Sequence, residues 1–217
     1  MSQTATPIDI ARSYVRDGWS PIPIPFRGKG PNLPGWANLR ITEDNLGQFF
    51  NGAPQNIGIL LGDASERLVD VDLDTPEAVR AARHLLPPTR AIFGRRSNPY
   101  SHWLYRCESS PSRIEYLDVP TPGDTRGKML VEIRGNGCQT VFPGSVHESG
   151  EPIEWHHREE LPGIKLADLT AAVGRVAAAA IIARHWPIGA RQDAACALAG
   201  GLFRAGWSED EVITFIT

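Results

Sequence analysis

Residues 67–78 read RLVDVDLDTPEA, and this stretch constrains the fold more than any other in the chain. Val69, Val71 and Leu73 recur at every second position, the period of a strand with one buried face, so Asp70, Asp72 and Asp74 fall on the opposite face. Directly behind them, Thr75-Pro76-Glu77 supplies a capping hydroxyl, a proline where the missing N–H costs nothing, and an acid at the positive end of a helix. The helix is expected to run to Leu86 and to stop at Pro87-Pro88. Carboxylates side by side on a strand repel one another. A divalent cation removes the conflict: carboxylate oxygens suit Mg²⁺ or Mn²⁺, and alternate strand positions point at one place. A solvated sheet edge guarded by charge is the plainer alternative. The strict apolar alternation and the helix start favour the metal.

The rest of the chain is organised around this unit. Thr6-Pro7 with Asp9 predicts a first helix ending near Gly18. Residues 19–36 hold so many prolines and glycines that only short extended pieces and turns fit. A second helix is expected from Thr42, presenting Leu46, Phe49 and Phe50, and ending by Gly52. NIGILLG precedes the acidic strand as another strand. From Thr89 to Trp155 the runs TRAIF, SHWLYR, KMLVEIR, CQTVF and PIEW read as strands, with a turn at 111–118. After Trp155 the texture changes, and from Leu166 the chain is alanine-rich and helical, broken at 186–189. A boundary is expected near residue 160, giving units 1–160 and 161–217. The last helix, capped by Ser208, is expected to run to the final residue, as if a longer protein continued beyond it.

Composition narrows the class. The 217 residues are 41% hydrophobic and 22% charged, which argues against disorder, collagen-like repeats and coiled coils. No apolar run is expected to reach the ~20 residues of a membrane span and no signal core is visible, so a cytoplasmic protein with no membrane association is expected. Cys107, Cys138 and Cys196 lack metal-site spacing and read as reduced core residues. A net charge of −3 leaves nucleic-acid binding open, since a net figure hides local patches.

Two further clusters carry chemistry. In FGRRSNPYSHWLYR, Arg95 and Arg96 precede a loop, and Ser101-His102 enters a strand. Guanidinium forks match phosphate oxygens, and a hydroxyl and an imidazole can join the same anion. A basic surface hairpin is the plainer alternative. In VEIRGNGCQTVFPGSVHESG, Glu132 and Arg134 share one strand face, Gly135-Asn136-Gly137 turns, and the returning strand leads to Ser145 and His147. Glu132 is a candidate third metal carboxylate and Arg134 a candidate phosphate contact; a surface ion pair is the alternative.

The ordered succession GWSPIPIPFRGKGP, NIGILLG, LVDVDLDTPEA, LPPTRAIFGRRSNPYSHWLYR and VEIRGNGCQTVFPGSVHESGEPIEW resembles the bifunctional DNA primase/polymerase (prim-pol) domain of the archaeo-eukaryotic primase superfamily, over roughly residues 8–160. The helical tail is similar to the segment that leads towards a helicase in longer members. The resemblance implies an α+β fold: an RRM-like catalytic domain with a mixed or antiparallel sheet flanked by helices, then a small C-terminal helical unit. It places the metal acids on Asp72 and Asp74, with Asp70 an extra acid in line, and the third acid on Glu132, where many members have aspartate. It places the phosphate-contacting pair on Ser101 and His102, the lysine of the proline-rich motif on Lys29, and the Ser-x-His on Ser145 and His147. Pro99-Tyr100 departs from the glycine pair that many members carry.

The implied function is template-directed nucleotidyl transfer on single-stranded DNA, using NTP or dNTP and two Mg²⁺ or Mn²⁺ ions, with a helicase as partner. Catalytic roles fall on Asp72, Asp74, Glu132 and His102, and nucleotide contacts on Arg95, Arg96, Ser101, His102, Arg134, His147 and Lys29. A metal-dependent nuclease or phosphohydrolase, and a non-catalytic single-strand or origin-binding module, are the alternatives. The helical unit from residue 166 is expected to be separable, to serve template handling or priming, and to hold no metal ligand.

Overall fold

The acidic strand, β3 (Leu68–Leu73), lies inside a sheet and has neighbours on both sides in the computed structural model, which describes residues 5–216. Its partners are β5 (Asn98–Cys107) and β7 (Met129–Arg134), both antiparallel. Beyond β7 comes β6 (Arg113–Leu117); beyond β5 come β4 (Ala91–Arg95) and β9 (Ile153–Arg158), giving the order β6-β7-β3-β5-β4-β9. A two-residue strand, β10 (Gly163–Ile164), adds in parallel to the end of β5. A smaller antiparallel sheet has the order β1 (Ser20–Pro25), β2 (Gln55–Leu60), β8 (Gln139–Val141).

Each face of the large sheet has its own core. Val69, Val71 and Leu73 of β3 pack with Trp103, Tyr105, Val131 and Ile133 under α3 (Pro76–Leu85) and α4 (Leu166–Arg184). The opposite face is covered by α1 (Pro7–Arg16), the one-turn α2 (Leu46–Phe49) and the small sheet, around Tyr14, Trp19, Phe93, Phe142 and Trp155. These rings meet mostly edge to face, 4.8–6.2 Å between centroids. The two remaining helices, α5 (Arg191–Arg204) and α6 (Glu209–Ile216), follow α4 and pack on each other, with Trp207 edge-on to Phe215.

The helix starts follow the capping chemistry. The Thr6 backbone N–H donates to Asp9 Oδ2 at 3.2 Å, and the Thr75 hydroxyl accepts the Ala78 N–H at 3.3 Å. The fold is the expected α+β arrangement of antiparallel sheets flanked by helices. Several local expectations are corrected. The second helix does not begin at Thr42, because the Asn45 side chain captures the Thr42 N–H at 2.8 Å and makes a turn that delays the helix to Leu46. Residues 113–117 form the edge strand β6 rather than a turn, with Ile114 and Tyr116 packing under α4 and Arg113 and Glu115 on the other face. Cys107 is buried, but Cys196 is exposed on α5.

The expectation that no stretch has the length and apolarity of a membrane span fails at the 19-residue α4, whose most apolar 18 residues have a mean hydropathy of 1.7. Its apolar character has another use here: Leu169, Val173, Val176, Ala177 and Ala180 are buried against the sheet and α3. The helices after residue 160 therefore differ in standing. α4 is built into the main core, whereas no residue of α5 is buried and α6 buries only Val212.

Candidate active site

The register of the large sheet assembles the site. Asp72 of β3 stands opposite His102 of β5 on one side and Glu132 of β7 on the other. Cross-strand partners share a face, so the row runs Glu115, Glu132, Asp72, His102, Phe93 across five strands. One step back along β3, Asp70 stands opposite Arg134 and Leu104. Alternation puts Asp70 and Asp72 on the face away from Val71, as expected, but not in solvent: both are buried, Asp70 completely. Asp74 comes after the strand, where its N–H donates to Leu130 O at 3.0 Å, and it sits exposed at the rim.

Arginines thread between these acids. Arg134 Nη2 lies 3.1 Å from Asp72 Oδ2, its Nε donates to Glu132 Oε2 at 2.7 Å, and its Nη1 donates to the Thr140 hydroxyl at 3.5 Å. Arg113 donates to the other Glu132 oxygen. Burial opposes ionisation of Glu132, but hydrogen bonds from both guanidinium groups outweigh it and hold its pKa below the usual range. Asp72 moves the other way, because burial dominates over the charges of His102 and Arg134. Partial loss of solvent at the cleft wall also pushes the Asp74 carboxyl up, to about 7, with Asp72 and Glu132 adding like-charge repulsion.

His102 is held on three sides. Its ring stacks on Phe93 at 4.5 Å and 15°, its Nδ1 donates to Asp70 Oδ2 at 3.0 Å, and Asp72 Oδ1 lies 3.6 Å from the same nitrogen. Burial lowers the imidazole pKa, yet the Asp72 and Asp70 carboxylates overcome that and raise it.

These groups open into a cleft of about 370 Å³ whose walls include Asp72, Asp74, His102, Arg95, Lys29 and His147. Each cation on the rim has an acidic neighbour: Lys29 Nζ lies 2.7 Å from Glu148 Oε1, and Arg95 Nε lies 3.4 Å from Glu151 Oε2. His147 accepts the Ser149 N–H at Nδ1 (3.1 Å) and turns Nε2 towards Arg95, 3.5 Å away. Burial and the charges of Arg95 and Lys29 lower its pKa. Ser101 is buried beside His102 at the cleft wall. Arg96 is exposed on the β4–β5 turn and does not line the cleft, and Ser145 is buried away from it, accepting the Ile57 N–H at 2.9 Å. Sequence reasoning missed Thr140, Phe93 and Arg113. Phe93 and Thr140 lie inside the two chemical clusters but carry no charge or ligating group that singles them out, and the strand carrying Arg113 has the local signals of a turn.

The donor set fits a hard divalent cation. Asp72 and Asp74 offer carboxylate oxygens to one cleft, and their raised pKa values express a loss of solvation, with added like-charge repulsion, that a bound cation offsets. Among the described residues no cluster of three or more His, Cys, Asp or Glu stands ready to ligate, and both Glu132 oxygens are held by arginines.

Comparison with known proteins adds the chain's affiliation. No curated protein matched the sequence. The model of the N-terminal domain of bifunctional DNA primase/polymerases matches residues 11–171, from α1 through the first turns of α4. Its span takes in both sheets, the whole cleft and the start of the helix that closes the core, so the chain belongs to the Prim-Pol family, whose members are DNA primases and polymerases and hence nucleotidyltransferases.

Proposed function

We infer that the cleft beside β3 is where the nucleotidyl transfer occurs, with single-stranded DNA as template and an NTP or dNTP as the incoming substrate. The observation that carries this reading is the pair Asp72 and His102, set opposite one another by strand register and lining a cationic-rimmed cleft, with Glu132 on the far side of Asp72 holding Arg134. Asp72 and Asp74 would hold Mg²⁺ or Mn²⁺, which when bound supplies charge neutralisation at the attacking and leaving oxygens. Glu132 joins that set only by exchanging an arginine for the ion, and as it stands it anchors Arg134. Arg95 and Lys29 receive the triphosphate, whose oxygens replace Glu151 and Glu148 as their partners. His102 presents a donor to a phosphoryl oxygen, and its neighbour Ser101 closes the cleft wall beside it. His147 holds the Arg95 side of the rim. In replication the expected partner is a helicase, fused or separate.

Titration of a fluorescent dNTP in the presence of Mn²⁺ tests the phosphate assignments. Arg95→Ala and Lys29→Ala should each weaken binding about 10-fold, the loss of one charge-assisted hydrogen bond. Arg96→Ala should change it less than about 2-fold. Equal effects from all three would refute the assignment of the cleft rim.

A further inference from the structure

Asp70 lies in line with the candidate metal acids, yet its surroundings give it a different task. It is completely buried, and both of its described side-chain partners are donors of the site itself. His102 Nδ1 donates to Oδ2 at 3.0 Å and stands 3.3 Å from Oδ1, and the hydroxyl of Thr140, itself buried, donates to Oδ2 at 2.7 Å. Thr140 comes from β8 of the small sheet and accepts from Arg134 on its other side. A chain of contacts thus runs Arg134, Thr140, Asp70, His102, linking the cation that holds Asp72 to the imidazole beside it.

Asp70 does not line the cleft, whereas Asp72, His102, Arg134 and Thr140 all do. Its Oδ2 takes both the ring N–H and the buried hydroxyl, and the carboxylate is enclosed by them away from the cleft. The ring it holds has only one other nitrogen. With Nδ1 donating to Asp70 and one ring face against Phe93, Nε2 is the atom left for a ligand in the cleft.

We propose that Asp70 is a positioning residue, which with Thr140 clamps His102 through Nδ1 so that Nε2 points at the substrate phosphates, and that it is not a metal ligand. The consequence for the reaction rests on the reading of His102 as a phosphate contact; the clamp itself does not. Removing the clamp frees the ring to rotate about its side-chain bonds and lets the nitrogens exchange roles. The effect belongs on turnover, where donor placement matters most, rather than on metal affinity.

The test uses the full chain and the isosteric substitution Asp70→Asn, with Thr140→Val and Thr140→Ser as a second pair that removes or keeps the hydroxyl. The first readout is the ¹⁵N-correlated side-chain spectrum of His102, recorded without metal and assigned with His102→Ala. The Nδ1–H signal should be present in the parent and in Thr140→Ser, and shifted or lost in Asp70→Asn and Thr140→Val. The second readout is Mn²⁺ affinity by calorimetry, which should stay within about 3-fold of the parent in Asp70→Asn while falling at least about 10-fold in Asp72→Asn. The third is nucleotide incorporation, where kcat should fall about 10- to 100-fold with KM little changed. An unshifted Nδ1–H signal in both Asp70→Asn and Thr140→Val would overturn the clamp. A loss of Mn²⁺ affinity in Asp70→Asn matching that of Asp72→Asn would make Asp70 a ligand instead. If His102→Ala leaves incorporation intact, the phosphate reading of His102 fails, and the spectrum still decides the clamp. Should Asp70→Asn not fold, the two threonine variants carry the same spectral and kinetic comparison.

Discussion

Arg134 Nη2 lies 3.1 Å from Asp72 Oδ2 on the floor of the cleft, so a side chain of the protein holds one of the two carboxylates proposed to bind metal. The same guanidinium reaches Glu132, and the burial of the two carboxylates under a partly buried arginine makes the arrangement sensitive to losing its cation. Arg134→Met should destabilise the metal-free protein by about 3 kcal/mol, the scale for removing one partner from a buried ion pair. Urea unfolding in EDTA measures this, and added Mn²⁺ should recover part of the loss. An unchanged midpoint would mean that the acids do not need Arg134.

The burial of five α4 residues has a consequence for any dissection of the chain. A chain ending at Leu161 loses Leu169, Val173 and Val176 from the core over β7 and α3. At about 1.5–3 kcal/mol for each large aliphatic side chain, the loss rivals the whole stability of a domain. The 1–161 chain should show no cooperative melt by circular dichroism. A chain ending at Trp186 should melt cooperatively and lose only the contribution of α5 and α6. A folded 1–161 chain would show that α4 is dispensable.

Asp118, after the end of β6, ties that strand to the end of α4. Its carboxylate accepts from His185 Nε2 at 2.7 Å and from Arg184 Nε at 2.8 Å, while Arg184 also reaches Glu77 of α3 at 3.1 Å. Burial raises the Asp118 pKa, but hydrogen bonds from His185, Arg184 and the Val119 N–H prevail and hold it down at about 2. A carboxyl depressed in the folded state contributes stability above its unfolded value of 3.8, and that contribution fades as pH falls towards 2. The stability gap between the parent and Asp118→Asn should be largest above pH 5 and should shrink between pH 4 and pH 2. A gap independent of pH over that range would show that the charge contributes nothing.

How far this could be read beforehand depended on whether the signal was local. β3, the Thr75 cap and α3 were legible because alternation and capping act within a few residues. β6 was hidden because Pro111 and the two serines before it look like a turn, and only its pairing with β7 makes it a strand. Alternation assigns Asp70 to a face but says nothing of depth. The covering strand β8 and the partner Thr140 lie 70 residues on, and no spacing rule announces them. Asp72, His102 and Glu132 were each legible as candidates, but their common row required the register of three strands. Arg113, Arg134 and Thr140 as a counter-ion network could be recognised only once the strands were paired.

Nucleotide incorporation on single-stranded DNA decides whether Asp72 and Asp74 make this cleft the site of synthesis. Purified parent, Asp72→Asn and Asp74→Asn would be given template with and without a primer, Mn²⁺ or Mg²⁺, and labelled nucleotides, with melting curves run alongside. The parent should lengthen the primer in a metal-dependent way. Each variant should lose at least about 100-fold of that activity while still melting cooperatively. Synthesis retained in both folded variants, or release of mononucleotides in place of extension, would contradict the claim.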